Sequence, residues 1–439
     1  MSMTESLAYV TADLPGTGGE IKQRLDDFLV EEQPLYEPAG EGEHLYLFME
    51  KAGLTTPELA RRVARAFRAG RGDVGHAGMK DKRGRTRQLV SVHLPGADTQ
   101  AVRGSLDALN ERDDMQVLWA DWHRNKLRRG HHAGNRFVIY VRNVSPTAVL
   151  SAKQVLDRLV EQGAPNYIGA QRFGYRQNSH VLGRHLLLGQ YQAMLDALLG
   201  EASEVDADRL KTGRAAYQRG DFGEALEHWP KSLRYDRQAL DALRQGASAE
   251  GAVKAIDRQQ RQFLVHAWQS AIFNQVLDER VRANGLGELW EGDLAWKHDS
   301  RAVFAVDDSV AKAENAPTGR MRSLAISPSG PMWGVDMPRA SGEPGRMEEA
   351  ALHATGLDQS HLLGAGDMPA EGSRRPMRMP VKDAEIAGGG DERGPFVRLA
   401  FELPRGAYAT VVLREIMKTE PLEAPHPRQN ANDTANAGE

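Results

Sequence analysis

One carboxylate, Asp81, lies in a short segment that is otherwise rich in positive charge. Residues 61–87 contain ten lysines and arginines but only two acids, Asp73 and Asp81. Nearby cations stabilise the ionised form of a carboxylate, and the same cations attract a polyanion. An aspartate in a cationic, glycine-flanked turn therefore indicates chemistry on a nucleic acid. Charge alone favours the more common alternative, a surface turn whose aspartate balances its neighbours.

A second basic region follows the first, although the whole chain is slightly acidic. Residues 122–156 carry seven lysines and arginines and no acid, whereas the net charge of the 439-residue chain is −4. The rest of the chain must therefore be acidic on balance. A cationic face on an acidic body would concentrate an anionic partner on one surface.

Three further segments combine residue types that suit contact with RNA. They are residues 22–32 with a lysine and Phe28, residues 125–137 with basic residues and glycines, and residues 166–174 with amide, aromatic and arginine groups. Aromatic rings can stack on a base, amides can read its edge, and cations can bind phosphates. For any one segment alone, a turn beside a core aromatic is the simpler interpretation.

Several other classes of protein are disfavoured by the sequence. The chain has no cysteine, which excludes disulfides and thiolate zinc sites and fits a reducing cytoplasm. His131 and His132 are adjacent and would point to opposite faces of a strand, so no metal site is expected. No phosphate-binding loop or dinucleotide-binding glycine motif is present, and Gly388–Gly390 lacks the lysine that should follow. We therefore expect chemistry without a cofactor, and neither a secretory signal nor a membrane span.

The pattern of apolar residues predicts strands at both ends of the chain and helices between them. Strands are expected at residues 45–49, 88–94, 115–122, 137–141 and 396–403. Helices are expected at residues 55–67, where Thr55 and Glu58 form a capping box, and at 146–161, 182–199, 252–281 and 409–417. Residues 324–338 and 364–374 look like loops, and residues 421–439 look like a disordered tail. This order suggests that a helix-rich domain interrupts the first domain.

Taken in order, the segments resemble the TruD family of tRNA pseudouridine synthases. The resemblance is carried by residues 27–32, 40–45, 76–82, 126–128, 134–137, 165–174, 374–376 and 406–415. The most specific parts are Ala-Gly-Met-Lys-Asp-Lys at 77–82 and Asn-Tyr-Ile-Gly-Ala-Gln-Arg-Phe-Gly at 166–174. His76 departs from the family pattern, in which an apolar residue is more usual, and this difference could alter the packing under the turn.

The resemblance implies an α+β fold in which a helix-rich TRUD domain is inserted into a pseudouridine-synthase catalytic domain with a mixed, largely antiparallel sheet. The expected boundaries are 1–165 and 372–420 for the catalytic domain and 166–371 for the insert. The implied reaction is isomerisation of uridine to pseudouridine in tRNA, at position 13 in the bacterial branch. The implied protein is a cytoplasmic monomer that binds tRNA and uses neither cofactor nor metal.

The resemblance also assigns site residues by position. Asp81 matches the catalytic aspartate, which would either attack ribose C1′ or abstract a proton. The expected substrate-binding residues are Lys22, Phe28, Lys80, Asn135, Phe137, Gln171, Arg172 and Phe173. For the last three, a structural role at the domain junction is an equal alternative. Two other functions stay open: an RNA-binding protein of the same fold without turnover, and a ribonuclease, for which His76 is the sole nearby acid–base candidate.

Overall fold

The computed structural model describes residues 7–363 and 368–419, which divide into two compact units. One unit comprises residues 11–164 and 379–419, and the other comprises residues 7–10, 165–363 and 368–378 of the described chain. We call them the sheet unit and the helical unit. The predicted α+β class, with a mixed and largely antiparallel sheet, is confirmed.

The strands and helices are numbered along the chain. The strands are β1 (Phe28–Pro34), β2 (His44–Ala52), β3 (Val74–His76), β4 (Arg85–His93), β5 (Met115–His123), β6 (His132–Arg142), β7 (Ala164–Pro165), β8 (Leu294–Lys297), β9 (Val303–Ala305), β10 (Ile326–Met332), β11 (Ser373–Pro376), β12 (Arg378–Met379), β13 (Lys382–Asp391) and β14 (Gly394–Pro404). The helices are α1 (Thr56–Ala66), α2 (Thr99–Asn110), α3 (Ala148–Gln162), α4 (Ser179–Leu187), α5 (Tyr191–Leu199), α6 (Asp208–Gln218), α7 (Phe222–His228), α8 (Arg234–Arg244), α9 (Ala249–Ala255), α10 (Arg258–Arg282), α11 (Asp308–Asn315), α12 (Gly342–His353) and α13 (Ala409–Met417). Short 3-10 turns lie at Leu25–Asp27, Arg71–Asp73, Ala170–Phe173 and Gln359–Leu363.

The sheet unit is built on an eight-stranded sheet in the order β13-β14-β6-β1-β4-β2-β5, with β3 paired to β4. β1 and β4 run parallel, and β1 pairs with β6 in antiparallel fashion. β1 therefore lies between the strand that follows the Asp81 turn and the strand that carries Asn135 and Phe137. Because Leu29 is the partner of Arg85, the start of β1 is held beside the end of the turn.

Helix α1 covers one face of this sheet because its apolar stripe meets the apolar side chains of β2 and β4. Leu59, Val63 and Phe67 of the helical segment cluster with Leu47 and Val90 of the sheet. The predicted capping box is confirmed: the backbone N–H of Thr55 donates to Glu58 Oε2 (2.8 Å), and the backbone N–H of Glu58 donates to Thr55 Oγ1 (3.3 Å). The cap fixes where the chain turns from β2 into the helix.

The helical unit is organised around α10, most of whose side chains are buried, as its apolar sequence predicts. It also contains a four-stranded sheet in the order β11-β10-β8-β9. Two predictions here are wrong. Residues 324–338 are not a loop, because β10 runs through Ile326–Met332, and residues 182–199 form two helices separated at Gly189, whose φ is +66°.

Two remaining predictions concern the tail and the membrane. The predicted disordered tail lies outside the described residues. None of the helices in the described part of the chain is long and apolar enough to cross a membrane.

Candidate active site

The turn that carries Asp81 is fixed by hydrogen bonds from three directions. The N–H of Gly130 donates to the carbonyl of Ala77 (2.9 Å), and the N–H of Lys80 donates to Thr56 Oγ1 (2.9 Å). The third bond reaches Asp81 itself, whose carbonyl accepts from Lys51 Nζ at 3.0 Å. The turn therefore has a fixed backbone although its residues lie outside regular secondary structure.

The carboxylate of Asp81 faces Lys22 at the surface of the sheet unit. Lys22 Nζ lies 3.5 Å from Asp81 Oδ2; the lysine side chain is 5% exposed and the aspartate side chain 39%. Lys22 adopts a left-handed backbone conformation with φ of 59°, which is costly for a residue with a side chain and is often found at functional sites. The result is a solvent-accessible carboxylate beside a buried cation.

Two aromatic rings lie beside this ion pair. Lys22 Nζ is 4.6 Å from the centroid of the Phe28 ring, and the rings of Phe28 and Phe137 meet edge to face at 6.5 Å. Neighbouring strands bring them together, because Val30 on β1 is the partner of Phe137 on β6. A Cβ on Gly84 would lie 2.6 Å from the Phe28 carbonyl oxygen, so this glycine allows the turn to approach β1.

Beneath the turn, three polar side chains form a group that we call the ionic floor: the buried Glu32 and Lys80 and the partly buried Asn135. Lys80 Nζ lies 2.8 Å from Glu32 Oε2 and donates to Asn135 Oδ1 at 2.7 Å. Glu32 and Asn135 are cross-strand partners on β1 and β6. A Cβ on Gly78 would lie 2.9 Å from Glu32 Oε2 and 3.0 Å from Lys80 Nζ, so the backbone of the turn sits directly on this group. Such a pair is costly to break, because the remaining charge would be buried alone.

Lys51 belongs to the candidate site but was not predicted from the sequence. Its side chain is fully buried, and its Nζ donates to the carbonyls of Leu54 (2.5 Å) and Asp81 (3.0 Å). Burial lowers the pKa of Lys51 to about 8, an effect that the negative charge of Asp81 opposes. A lysine near the end of a mostly apolar strand was a signal for such a role, but its partners could not be read from the sequence.

Replacing Lys51 with methionine should separate stability from activity. The folded-state pKa of about 8 lies below the ordinary value of 10.5, so between these pH values the unfolded chain binds more protons and wild-type stability rises with pH. Below pH 8 the buried charge opposes folding by about 3 kcal/mol, which the methionine removes, partly offset by the two lost hydrogen bonds.

We therefore expect Lys51→Met to be at least as stable as wild type at pH 7 and to lose that advantage by pH 10. Denaturant unfolding at both pH values measures this. Activity should fall by about 10-fold or more, because the Asp81 turn loses one anchor and small misplacements of reacting groups are costly. A Lys51→Met protein that is less stable than wild type at pH 7 but fully active would contradict this account.

The lysines and arginines that follow Asp81 differ in how closely acidic side chains surround them. Arg85 and Arg87 both pair with Glu50, at 2.6 Å and 2.8 Å, and Arg87 also pairs with Glu31 at 2.8 Å. Arg85 also pairs with Asp26 at 2.7 Å. Asp26 and Glu50 raise the pKa of the Arg85 guanidinium, and Glu50 and Glu31 raise that of Arg87. Lys82 and Arg83 are exposed beside Asp81. Because Glu50 and Glu31 offset the charge of the two paired arginines, the positive surface next to Asp81 is narrower than the charge count of residues 61–87 suggests.

The remaining predicted residues belong to the helical unit. Phe173 is 1% exposed and packs against Ala267 and Ala271 of α10. The Arg172 guanidinium lies 5.4 Å from the ring centroid of Phe263, and Gln171 is exposed. Burial indicates a packing role for Phe173.

One of the two adjacent histidines that raised the question of a metal has another partner. His131 Nδ1 is hydrogen-bonded to the hydroxyl of Tyr36 at 2.9 Å. Within the described residues, no group of three or more His, Asp or Glu side chains is arranged to hold a metal ion. Burial lowers the pKa of His76 and of His132.

Comparison with known proteins gives concordant results. The family model described as tRNA pseudouridine synthase D (TruD) matches residues 5–416. A relative named tRNA pseudouridine synthase D from Geobacter sulfurreducens is 43% identical over 93% of this chain and 96% of its own. A relative of the same name from Thermus thermophilus is 34% identical over 95% of this chain and 94% of its own.

A solved structure is also similar. A crystal structure described as that of a putative TruD from Methanosarcina mazei superposes with a TM-score of 0.79 and 28% identity, over 94% of this chain and 97% of that one. This match confirms the expected pseudouridine-synthase fold. With a family match across nearly the whole described chain, the protein belongs to the TruD family of tRNA pseudouridine synthases.

Proposed function

We propose that this protein isomerises uridine to pseudouridine at position 13 of tRNA, with Asp81 as its catalytic carboxylate and without a cofactor. Family membership and the names of the relatives support the activity of a tRNA pseudouridine synthase. The observation that carries the role of Asp81 is its geometry. Its carboxylate is accessible on a fixed backbone, with the Lys22 ammonium at 3.5 Å and an aromatic pair beside it.

The reaction is an isomerisation, so the atoms balance without an added oxidant or reductant. The bond between uracil N1 and ribose C1′ breaks, the uracil turns, and a bond between C5 and C1′ forms. The proton lost from C5 is balanced by the proton gained at N1. An ionised carboxylate can serve as nucleophile at C1′ or as base for a proton, and the Lys22 ammonium lies 3.5 Å from the Asp81 carboxylate.

The neighbouring residues receive complementary roles in this proposal. Phe28 and Phe137 supply an apolar wall for the uracil ring. Because Lys80 donates to Asn135 Oδ1, we assign the NH₂ group of Asn135 to a uracil carbonyl. Lys80 is itself buried against Glu32, so its role here is to hold the turn. Arg83 and Lys82 are exposed next to Asp81 and are assigned to the phosphates of the RNA.

The position of modification can be tested with two transcripts. Wild-type protein is incubated with an unmodified tRNA that has uridine at position 13, and with the same tRNA carrying cytidine there. We expect pseudouridine at position 13 of the first transcript and none in the second. A transcript changed at a different uridine serves as the control and should react like the first.

The other outcomes discriminate between the alternatives. Pseudouridine elsewhere in the tRNA would reject position 13 but keep the activity. Binding without pseudouridine would favour an RNA-binding protein, and cleaved tRNA would favour a ribonuclease.

A further inference from the structure

An exposed apolar side chain projects from the turn two residues before Asp81. Met79 is 58% exposed, whereas Ala77 is 3% exposed and Lys80 is 9% exposed. Two Cα atoms two residues apart are separated by at most about 7 Å. Met79 and Asp81 are therefore close enough to contact the same nucleotide or adjacent nucleotides of a bound RNA. Single exposed apolar residues are ordinary on protein surfaces, so exposure alone assigns no role.

The structure explains why this side chain points outward. Beneath the turn lies the ionic floor, and a Cβ on Gly78 would already be 2.9 Å from Glu32 Oε2. A methionine folded inward would have to displace Lys80 from Glu32, leaving a buried charge without its partner. The polar group below therefore disfavours an inward position of the Met79 side chain.

The backbone that presents Met79 is also held on both sides. The carbonyl of Ala77 accepts from the Gly130 N–H, and the Lys80 N–H donates to Thr56 Oγ1. The side chain itself is unbranched and flexible, which suits irregular apolar contacts. The turn thus presents a deformable apolar group from a fixed base beside the reacting carboxylate.

A uridine within folded tRNA must leave its base stack before a carboxylate can reach its glycosidic bond. Extruding a base costs a few kcal/mol, and least where the base is mismatched. Proteins that open a base step often insert an apolar side chain, including methionine, into the step. An enzyme that extrudes its target therefore benefits from an apolar group close to the reacting carboxylate.

We propose that Met79 enters the space that the target uridine leaves and stabilises its extruded state. This inference rests on the proposed function, because it requires Asp81 to act on an extruded uridine. Met79 is thus a positioning residue for the RNA, distinct from the residues assigned to the uracil itself.

The test compares single-turnover rates on two RNAs. The first is the tRNA transcript above, and the second carries mismatches at the nucleotides that flank the target uridine. For Met79→Ala we expect about a 10- to 100-fold slower reaction on the first RNA, the equivalent of about 1.4 to 2.7 kcal/mol. The loss should shrink to about 3-fold or less on the mismatched RNA, where extrusion is cheaper. Met79→Leu should keep most of the wild-type rate on both RNAs.

The control is Leu150→Ala. Leu150 is 64% exposed on α3 of the same sheet unit, and its substitution should leave both rates unchanged. Equal losses on the two RNAs, or no loss on either, would overturn the role of Met79. Failure of the proposed function is recognised separately, because wild-type protein would then form no pseudouridine in either RNA.

Discussion

Replacing Asp81 with asparagine is expected to lower the single-turnover rate of pseudouridine formation by about 10³-fold or more. The amide has nearly the same shape as the carboxylate but can neither attack C1′ nor accept a proton effectively, and loss of a catalytic nucleophile or base typically costs factors of this order. The carbonyl of residue 81 would still accept from Lys51, so the turn should keep its position. The rate is measured by mapping pseudouridine in the tRNA transcript over time.

Binding should respond differently from the rate. The substitution removes one negative charge from a surface that faces a polyanion, so tRNA affinity should be unchanged or slightly higher. A large loss of affinity together with the loss of rate would indicate a disturbed site, not a missing catalytic group.

Asp73→Asn is the matched control for Asp81→Asn. Asp73 is the other acid in the cationic segment, and its carboxylate accepts from the backbone N–H of Gly70 at 2.9 Å. Its substitution should leave the rate within about 2-fold of wild type, since surface changes of this kind have small effects. If Asp81→Asn kept wild-type activity, the carboxylate would have no part in the chemistry. The TruD-like motif at residues 77–82 would then have only a structural role.

Local sequence signals were enough to predict the regular elements with strong periodicity. The capping box at Thr55 and the apolar stripe at Leu59 and Val63 correctly predicted α1. Alternation of apolar residues correctly predicted the strand at 396–403, which is β14, and the helix at 409–417 is α13. These elements carry their own boundary signals, so the prediction did not depend on distant contacts.

Strands β1 and β13 were not predicted, because the second half of β1 and the glycine run of β13 lack the residue types that favour strands. β1 reads Phe-Leu-Val-Glu-Glu-Gln-Pro, and β13 contains Gly388–Gly390. Both are strands because their neighbours pair with them. Gly389 lies opposite Phe396, and a Cβ at this glycine would be 2.6 Å from the Phe396 ring. The glycine makes room for a cross-strand ring, which is information about tertiary contacts and not about local propensity.

The same limit applies to the site. Asp81 and Phe28 could be named from the sequence because segments that resemble the family contain them, and Lys22 was named from the residues just before the first of these segments. Lys51 could not be named in this way, because its partner is the main-chain carbonyl of Asp81. Every residue has such a carbonyl, so the sequence does not show which one a lysine contacts. The positive charge of residues 61–87 was also overestimated from the sequence. Glu50 and Glu31, which pair with arginines of this segment, come from other strands, so their effect could not be seen in the local sequence.

The second large effect is expected from Arg142, which holds a buried ion-pair network at the end of β6. Its Nε and one terminal nitrogen donate to Asp27 at 2.8–3.0 Å, and its other terminal nitrogen donates to Asp391 at 2.9 Å. The side chains of Arg142 and Asp27 are 4% and 3% exposed. The two carboxylates raise the pKa of Arg142 above its usual value. The network therefore joins the start of β1 to the hairpin of β13 and β14.

Arg142→Met is expected to lower the free energy of unfolding by about 3–5 kcal/mol, because it leaves the charge of the Asp27 carboxylate buried without its cation. The matched control is Arg124→Met, whose ion pair with Glu41 is 69% and 64% exposed and should contribute no more than about 1 kcal/mol. Denaturant unfolding of both variants at pH 7 gives the comparison. Equal stability of the two variants would show that the buried network contributes nothing beyond a surface pair.

A third protein tests whether the loss comes from the stranded charge. Asp27→Leu combined with Arg142→Met removes both buried charges, and replacing a whole buried pair with apolar groups is often neutral. We expect the double variant to recover most of the stability that Arg142→Met loses. Its rate should stay below that of wild type, because Asp27 directly precedes Phe28 and its carboxylate also accepts from the Arg24 N–H at 3.0 Å. Recovered stability with a lowered rate would assign the network to positioning the strand that carries Phe28.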